Sequence, residues 1–198
     1  EICACLVGSE MCIRDRCYSV QPDKAVYKAP QEIVQDLLDV VSKNGRLLLN
    51  FGPKPDGTLA DKDVEILHKL ADWMRVNDEC IHGTGLWRIN QEGPTKIQEG
   101  QFADGASRNF TSEDFRFTCR GGNIYAACMA CPADGKLHIR SLREADASHL
   151  PLWHGIVRKV EVLGNPAQAA WTRDGEALHV DLGDYQSDMP VVVKIITD

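Results

Sequence analysis

The sequence lacks the features that mark several large protein classes. It has no cluster of Lys and Arg, and its 22 basic residues stand against 29 acidic ones, a formal charge of −7. A surface that binds phosphate backbones needs the opposite balance, so no nucleic-acid partner is expected. No apolar stretch approaches the ~20 residues that span a bilayer, so no membrane partner is expected either. There is no GxSxG elbow, and His68, His82, His138, His149, His154 and His179 are scattered without ligand or triad spacing. Aromatic residues are few, at 7%, yet 43% hydrophobic content over 198 residues suffices for one large packed domain or two small ones.

The first sixteen residues, EICACLVGSEMCIRDR, have neither a helical nor a strand period and no secretory layout. Leu6–Arg16 resembles the translated transposase adapter of sequencing libraries, and Glu1–Cys5 fits the primer and index that precede it. Residues 1–16 are therefore expected to be a technical sequence without structure, with the biological chain beginning near Cys17 and cut there. Without them the balance is 26 acidic against 20 basic residues, and five cysteines remain. Five cysteines with no framework spacing make no case for a disulfide scaffold.

Residues 30–77 read as helix, strand, helix. Pro30 suits a first helical turn, and Ile33, Val34, Leu37, Leu38, Val40 and Val41 recur at helical spacing. Asn44-Gly45 is a stop signal, with Gly expected in the left-handed conformation. Arg46–Phe51 (RLLLNF) then reads as a strand whose three leucines put apolar groups on both faces, as in a buried parallel strand. A turn-rich loop, Gly52–Gly57, leads to a second helix capped by Thr58 or Asp61, with Val64, Leu67, Leu70, Ala71 and Met74 as its apolar stripe. Helix, strand, helix is a piece of an α/β protein.

Beyond Gly93 the style changes. Short alternating runs at 114–118, 123–130, 136–141, 157–163, 177–182 and 191–196 alternate with Gly121-Gly122, Asp134-Gly135, Gly164-Asn165 and Asp174-Gly175. Asp-Gly between such runs is a hairpin signal, and six or more short strands predict an antiparallel β-sandwich. The glycines of 81–93 mark the expected linker.

Few residues suggest chemistry. Cys128 and Cys131 form a CxxC, but residues three apart on a strand point to opposite faces, so Cys128 reads as a small buried hydrophobe and no metal is assigned. Asn109-Phe110-Thr111 fits a glycosylation sequon, which matters only in a eukaryotic secretory pathway. Asp56 follows the buried strand, where α/β barrels carry active-site groups, though Pro55-Asp56-Gly57 is ordinary turn composition and favours a structural role. Asn50, at the strand's C-terminal end, is better placed to face a ligand. Asp114 and Asp181 sit on alternating strands and read as solvent-facing charges.

Several stretches together resemble the α-L-fucosidases of glycoside hydrolase family 29. They are Val40–Gly45 (VVSKNG), Leu47–Gly57 (LLLNFGPKPDG), Trp73–Asn77 (WMRVN), Ile81–Thr84 (IHGT) with Trp87, and Gly93–Thr95 (GPT). The family patterns are similar to DVVSKNGNLLLNIGPxxDG and GEWLxxNGEAIYGTxxW. Departures are Arg46 for Asn, Phe51 for Ile, and Asp78-Glu79-Cys80 for Gly-Glu-Ala. The resemblance implies the last β/α units of a (β/α)8-type catalytic barrel over 17–88 and a C-terminal β-sandwich over 93–198. It implies a retaining hydrolase acting on fucosylated glycans, in a secreted, periplasmic or otherwise extracytoplasmic parent, with no cofactor or metal. The Asp nucleophile and the acid/base would lie on upstream strands, so no catalytic residue is assigned here. Tyr18, at the end of a motif whose Trp would precede Cys17, and Asn50 are the implied substrate-binding residues. A free-standing carbohydrate-binding sandwich is the alternative, but such a module has no use for a strand apolar on both faces. The sandwich is expected to fold alone, and the barrel piece to be poorly stable.

Overall fold

The structure, a computed structural model, describes residues 9–12, 27–95, 109–145 and 150–198. Helix α1 covers Pro30–Ser42. Pro30 occupies its first turn, and the Glu32 carboxylate reaches back to accept the Ala29 N–H at 2.8 Å, half of a capping box. At the other end Asn44, with φ 63°, takes the left-handed position expected of Gly45. The N–H groups of Asn44 and Gly45 then close onto the carbonyls of Val41 and Val40 at 2.9 and 2.8 Å, a Schellman end. Strand β2 follows at Arg46–Leu49 and helix α2 at Asp61–Asn77. Ala60, not Thr58 or Asp61, is the N-cap of α2, and Asp61 and Asp63 instead complement the dipole in its first turn.

Two expectations about residues 1–51 change. A segment without structure is expected at the N-terminus, but Ser9–Cys12 form strand β1, paired in parallel with β2 from Ser9↔Arg46 to Cys12↔Leu49. The unpaired N–H and C=O groups along β2 are a ready template for any neighbouring extended chain. The parallel partner is as expected of β2, but the two-sided burial is not. Leu47 and Leu49 are half-buried and Leu48 is 61% exposed, because successive side chains point to opposite faces of the sheet and that of Leu48 lies on a face no described element covers.

The remaining strands are β3 (Gly85–Glu92), β4 (Phe115–Arg120), β5 (Asn123–Cys128), β6 (Lys136–Ile139), β7 (Val157–Val162), β8 (Ala170–Arg173), β9 (Leu178–Asp181) and β10 (Val191–Thr197). They form a five-stranded sheet in the order β3-β4-β5-β10-β7 and a three-stranded one, β6-β9-β8, both antiparallel. The expected linker is thus largely strand β3, the edge of the larger sheet. The turn signals sort into two kinds. Gly121-Gly122, at φ 57° and 86°, closes the two-residue β4–β5 hairpin, and Asp174-Gly175 turns β8 into β9. Asp134-Gly135 and Gly164-Asn165 instead carry the chain between the two sheets.

The five-stranded sheet is covered on both sides. Phe115, Phe117, Ile124, Ala126, Val193 and Ile195 face Leu137, Ile139, Leu178 and Val180 of the smaller sheet across an apolar core. The alternate residues Tyr125, Ala127 and Val192 face Val34, Leu38 and Trp73 of the helices, with Met129 just beyond β5. Helices, five-stranded sheet and three-stranded sheet make three layers. Among the described residues no helix is long and apolar enough to cross a membrane.

Candidate functional site

The C-terminal end of β2 is where the sequence places a ligand. Asn50 is half-buried there, followed by half-buried Phe51 and the loop to Gly57. Asp56 is exposed and its carboxylate is spent on its own turn. Oδ1 accepts the Thr58 N–H at 3.0 Å and the Thr58 hydroxyl at 2.7 Å. The Thr58 backbone N–H, then its hydroxyl, hold the Asp56 carboxyl below its ordinary value. An acid kept ionised by a turn stabilises that turn and is a poor proton donor. Asp56 is the lone acid between Asn50 and Ala60, so the loop offers one carboxylate. Tyr18 lies outside the described residues.

Elsewhere the helices are fastened to the five-stranded sheet by polar contacts the sequence does not announce. Asp39 on α1 accepts the Arg116 guanidinium at 2.6 Å and the Lys43 ammonium at 2.8 Å, and Asp39 and Arg116 side chains are each 1% exposed. Gln35 donates to the Met129 carbonyl and the Trp73 indole to that of Pro190, both at 2.8 Å. Glu79 accepts from the Tyr125 hydroxyl at 3.0 Å and from Lys194 at 2.7 Å. Burial, reinforced by Glu79, pushes the Tyr125 phenol up to about 12. The α2 stripe also shifts from the expected one. Asp63, Ile66, Trp73 and Asn77 are buried while Val64 and Ala71 are exposed, because α2 docks through the edge that carries Trp73.

Asp114 corrects another expectation, that of a solvent-facing charge. It is fully buried just before β4, and its carboxylate accepts the N–H and hydroxyl of both Thr95 and Thr111 at 2.7–2.9 Å. Burial pushes it up, but these four bonds outweigh that and leave it below its ordinary value. The Thr111-Ser-Glu-Asp114 spacing is the signal that points to this local capping. Cys128 is the expected buried small side chain, its thiol pushed up to about 12 by burial, while Cys131 is half-buried. Among the described residues no three His, Cys, Asp or Glu side chains group so as to hold a metal ion. Sequence spacing does miss one pairing: His138 and His179, 41 residues apart, meet on adjacent strands.

Comparison with known proteins gives a consistent answer. Residues 8–79 match the family described as Alpha-L-fucosidase, a stretch that begins inside the adapter-like segment and ends at the 3-10 turn after α2. Tissue alpha-L-fucosidase of Rattus norvegicus is 27% identical over 143 residues, 72% of this chain and 25% of that protein. Plasma alpha-L-fucosidase of Homo sapiens is 38% identical over 69 residues, 35% of this chain and 15% of that one. The crystal structure of Thermotoga maritima alpha-fucosidase superposes with a TM-score of 0.67 at 23% identity, over 95% of this chain and 38% of that one, a likeness of fold. These relatives are α-L-fucosidases, glycoside hydrolases. The chain spans about a quarter of the length of the tissue enzymes it matches.

Proposed function

We propose that this chain, by family an α-L-fucosidase, is the C-terminal part of a glycoside hydrolase family 29 enzyme, a retaining exo-glycosidase that releases terminal L-fucose from glycans. The observation that carries this reading is the family match over residues 8–79, the stretch that includes β2 and its Leu47–Gly57 motif. In this reading 17–88 supplies the last β/α units of a barrel and the sandwich packs behind it. The exposed side chain of Leu48 supports a strand whose full surroundings belong to a longer protein.

Retaining hydrolysis needs one carboxylate to attack the anomeric carbon and a carboxylic acid, about 5–5.5 Å away, to protonate the leaving oxygen. The β2 end offers Asp56 alone, already committed to Thr58. The catalytic pair is therefore assigned to upstream barrel strands, and this chain by itself is inactive. Asn50 and Tyr18 are assigned to sugar contact, an amide and an aromatic face at the barrel mouth. The test is turnover of an aryl α-L-fucoside by the purified 198-residue chain and by the same chain extended upstream to the length of its relatives. Retention by the extended protein with none by the short one supports the reading. Turnover by the short chain that Asp56→Asn abolishes would make Asp56 catalytic and overturn it, as would a fully inactive extended protein that binds glycans.

A further inference from the structure

One buried carboxylate, that of Asp114, fastens together two stretches of chain that hydrolysis does not use. It stands just before β4 at 0% exposure and takes four hydrogen bonds. Oδ1 accepts the Thr95 N–H at 2.9 Å. Oδ2 accepts the Thr95 hydroxyl at 2.7 Å and the Thr111 N–H and hydroxyl at 2.7 and 2.9 Å. Thr95 lies 19 residues from Asp114 in the chain and Thr111 only 3, so one side chain holds the stretch that leaves β3 against the stretch that enters β4. Gly93 is part of the fastening. It sits at φ 125°, where a Cβ would stand 2.4 Å from Oδ1 and 2.6 Å from Cα of Asp114. Only glycine lets the end of β3 come so close.

All four of these bonds are donated to Asp114, which suits a carboxylate and not a carboxylic acid. An ionised Asp only accepts, and its hydrogen bonds are charge-assisted. Protonation removes the charge and turns one oxygen into a donor, in a site where the N–H groups of Thr95 and Thr111 cannot accept. The hydroxyls have other partners. Thr95 Oγ1 also stands 3.4 Å from the Asn109 carbonyl, and Thr111 Oγ1 accepts the Glu113 N–H at 3.3 Å. From this geometry we propose that Asp114 is an acid-released clasp, which on protonation frees Gly93–Thr95 and Thr111 together while the two sheets stay folded.

The direction of the switch follows from the same bonds. Burial raises the Asp114 carboxyl, but the Thr111 and Thr95 bonds outweigh it and leave it below its ordinary value. The clasp is therefore closed above about pH 3.9 and opens as pH falls through the lowered folded value. Other ionisable groups surround it. Glu92, opposite Phe115 in the ladder, accepts the Arg140 and Ser141 N–H groups, and Glu113 is exposed beside Arg140. Arg116 is turned to Asp39. Cys128 on β5 keeps its proton throughout this range, since burial pushes its thiol up to about 12. Acid acting through Glu92 or Glu113 leaves the Asp114 bonds in place, so its effect would survive replacement of Asp114.

The test is amide hydrogen exchange of the 198-residue chain, followed by NMR from about pH 6 to about pH 3 and corrected for the intrinsic pH dependence of exchange. The Thr95 and Thr111 amides are expected to share one protection factor at the upper end. Below about pH 3.9 they should lose it together, by about 10-fold or more, while the amides of β5 and β10 keep theirs. Asp114→Asn should show the low protection at every pH. Gly93→Ala, which leaves the carboxylate in place but crowds it, should lower both amides at about pH 6. Unequal protection of Thr95 and Thr111 in the unaltered chain, protection that ignores pH, or an acid loss that persists in Asp114→Asn overturns the clasp. A loss shared by β5 and β10 at the same pH overturns the local release. Should Asp114→Asn unfold, the pH series on the unaltered chain and on Gly93→Ala decides.

Discussion

Helices α1 and α2 and strand β2 come from one stretch of sequence between Pro30 and Asn77, yet they end in opposite circumstances. The helices lie on the five-stranded sheet, with Val34, Leu38 and Trp73 buried and Asp39 paired to Arg116 beneath them. Strand β2 has a single described neighbour and leaves Leu48 61% exposed. Apolar patterning states what a segment is able to bury, whereas burial itself depends on which surfaces come within reach. The helices have found theirs in the sandwich. These contacts predict a stability boundary between β2 and the layered body, in place of one between the helices and the sandwich.

Five single substitutions can break or sharpen that contrast. Trp73→Ala, on the helix side of the sheet, and Phe117→Ala, on its sandwich side, should each cost about 3–5 kcal/mol in urea unfolding followed by circular dichroism. A near-zero effect of Trp73→Ala would mean that the helices contribute little to the cooperative body. Arg116→Ala should also destabilise by about 3–5 kcal/mol, because it strands the Asp39 carboxylate in a buried site with Lys43 alone. Rescue by a double variant with Asp39→Ala would assign that loss to the unpaired charge.

Asp114→Ala is expected to cost about 1.5–3 kcal/mol, the worth of hydrogen bonds to a charged group. Its folded carboxyl lies below the ordinary value of about 3.9, so its stabilisation is present above that pH and is lost as pH falls through the lowered folded value. The variant should therefore show a shallower decline in stability on acidification, seen as a smaller drop in melting temperature. The smallest effect belongs to Leu48→Ser, expected within about 0.5 kcal/mol here. In a chain extended upstream the same change should destabilise markedly, and equal effects in both would count against burial of Leu48 in a barrel.

Much of the architecture was legible locally. Periods of 3.6 and 2 mark α1, α2 and most sandwich strands, and β2 is parallel as its leucines suggest. What escaped depended on distant partners. Strand β3 begins at Gly85 and draws its order from pairing with β4, so its glycine neighbours read as a linker. Asp134-Gly135 has hairpin chemistry, but the alternation of β6 gives no hint that its partner is β9. Asp114 looks like any strand-edge acid until Thr95, 19 residues earlier, folds onto it. Asn50 and Asp56 drew notice because they follow an unusual leucine run. The His138–His179 pair joins residues 41 apart and leaves no periodic trace.

Native-state amide hydrogen exchange, read residue by residue on the 198-residue chain, tests the central contrast most directly. The account predicts that the protected amides of α1 and α2 exchange with the same free energy as those of β5 and β10, as one cooperative unit, while Arg46–Leu49 exchange much faster. Early, independent exchange of α2 while β10 stays protected, or β2 as protected as β10, would contradict it.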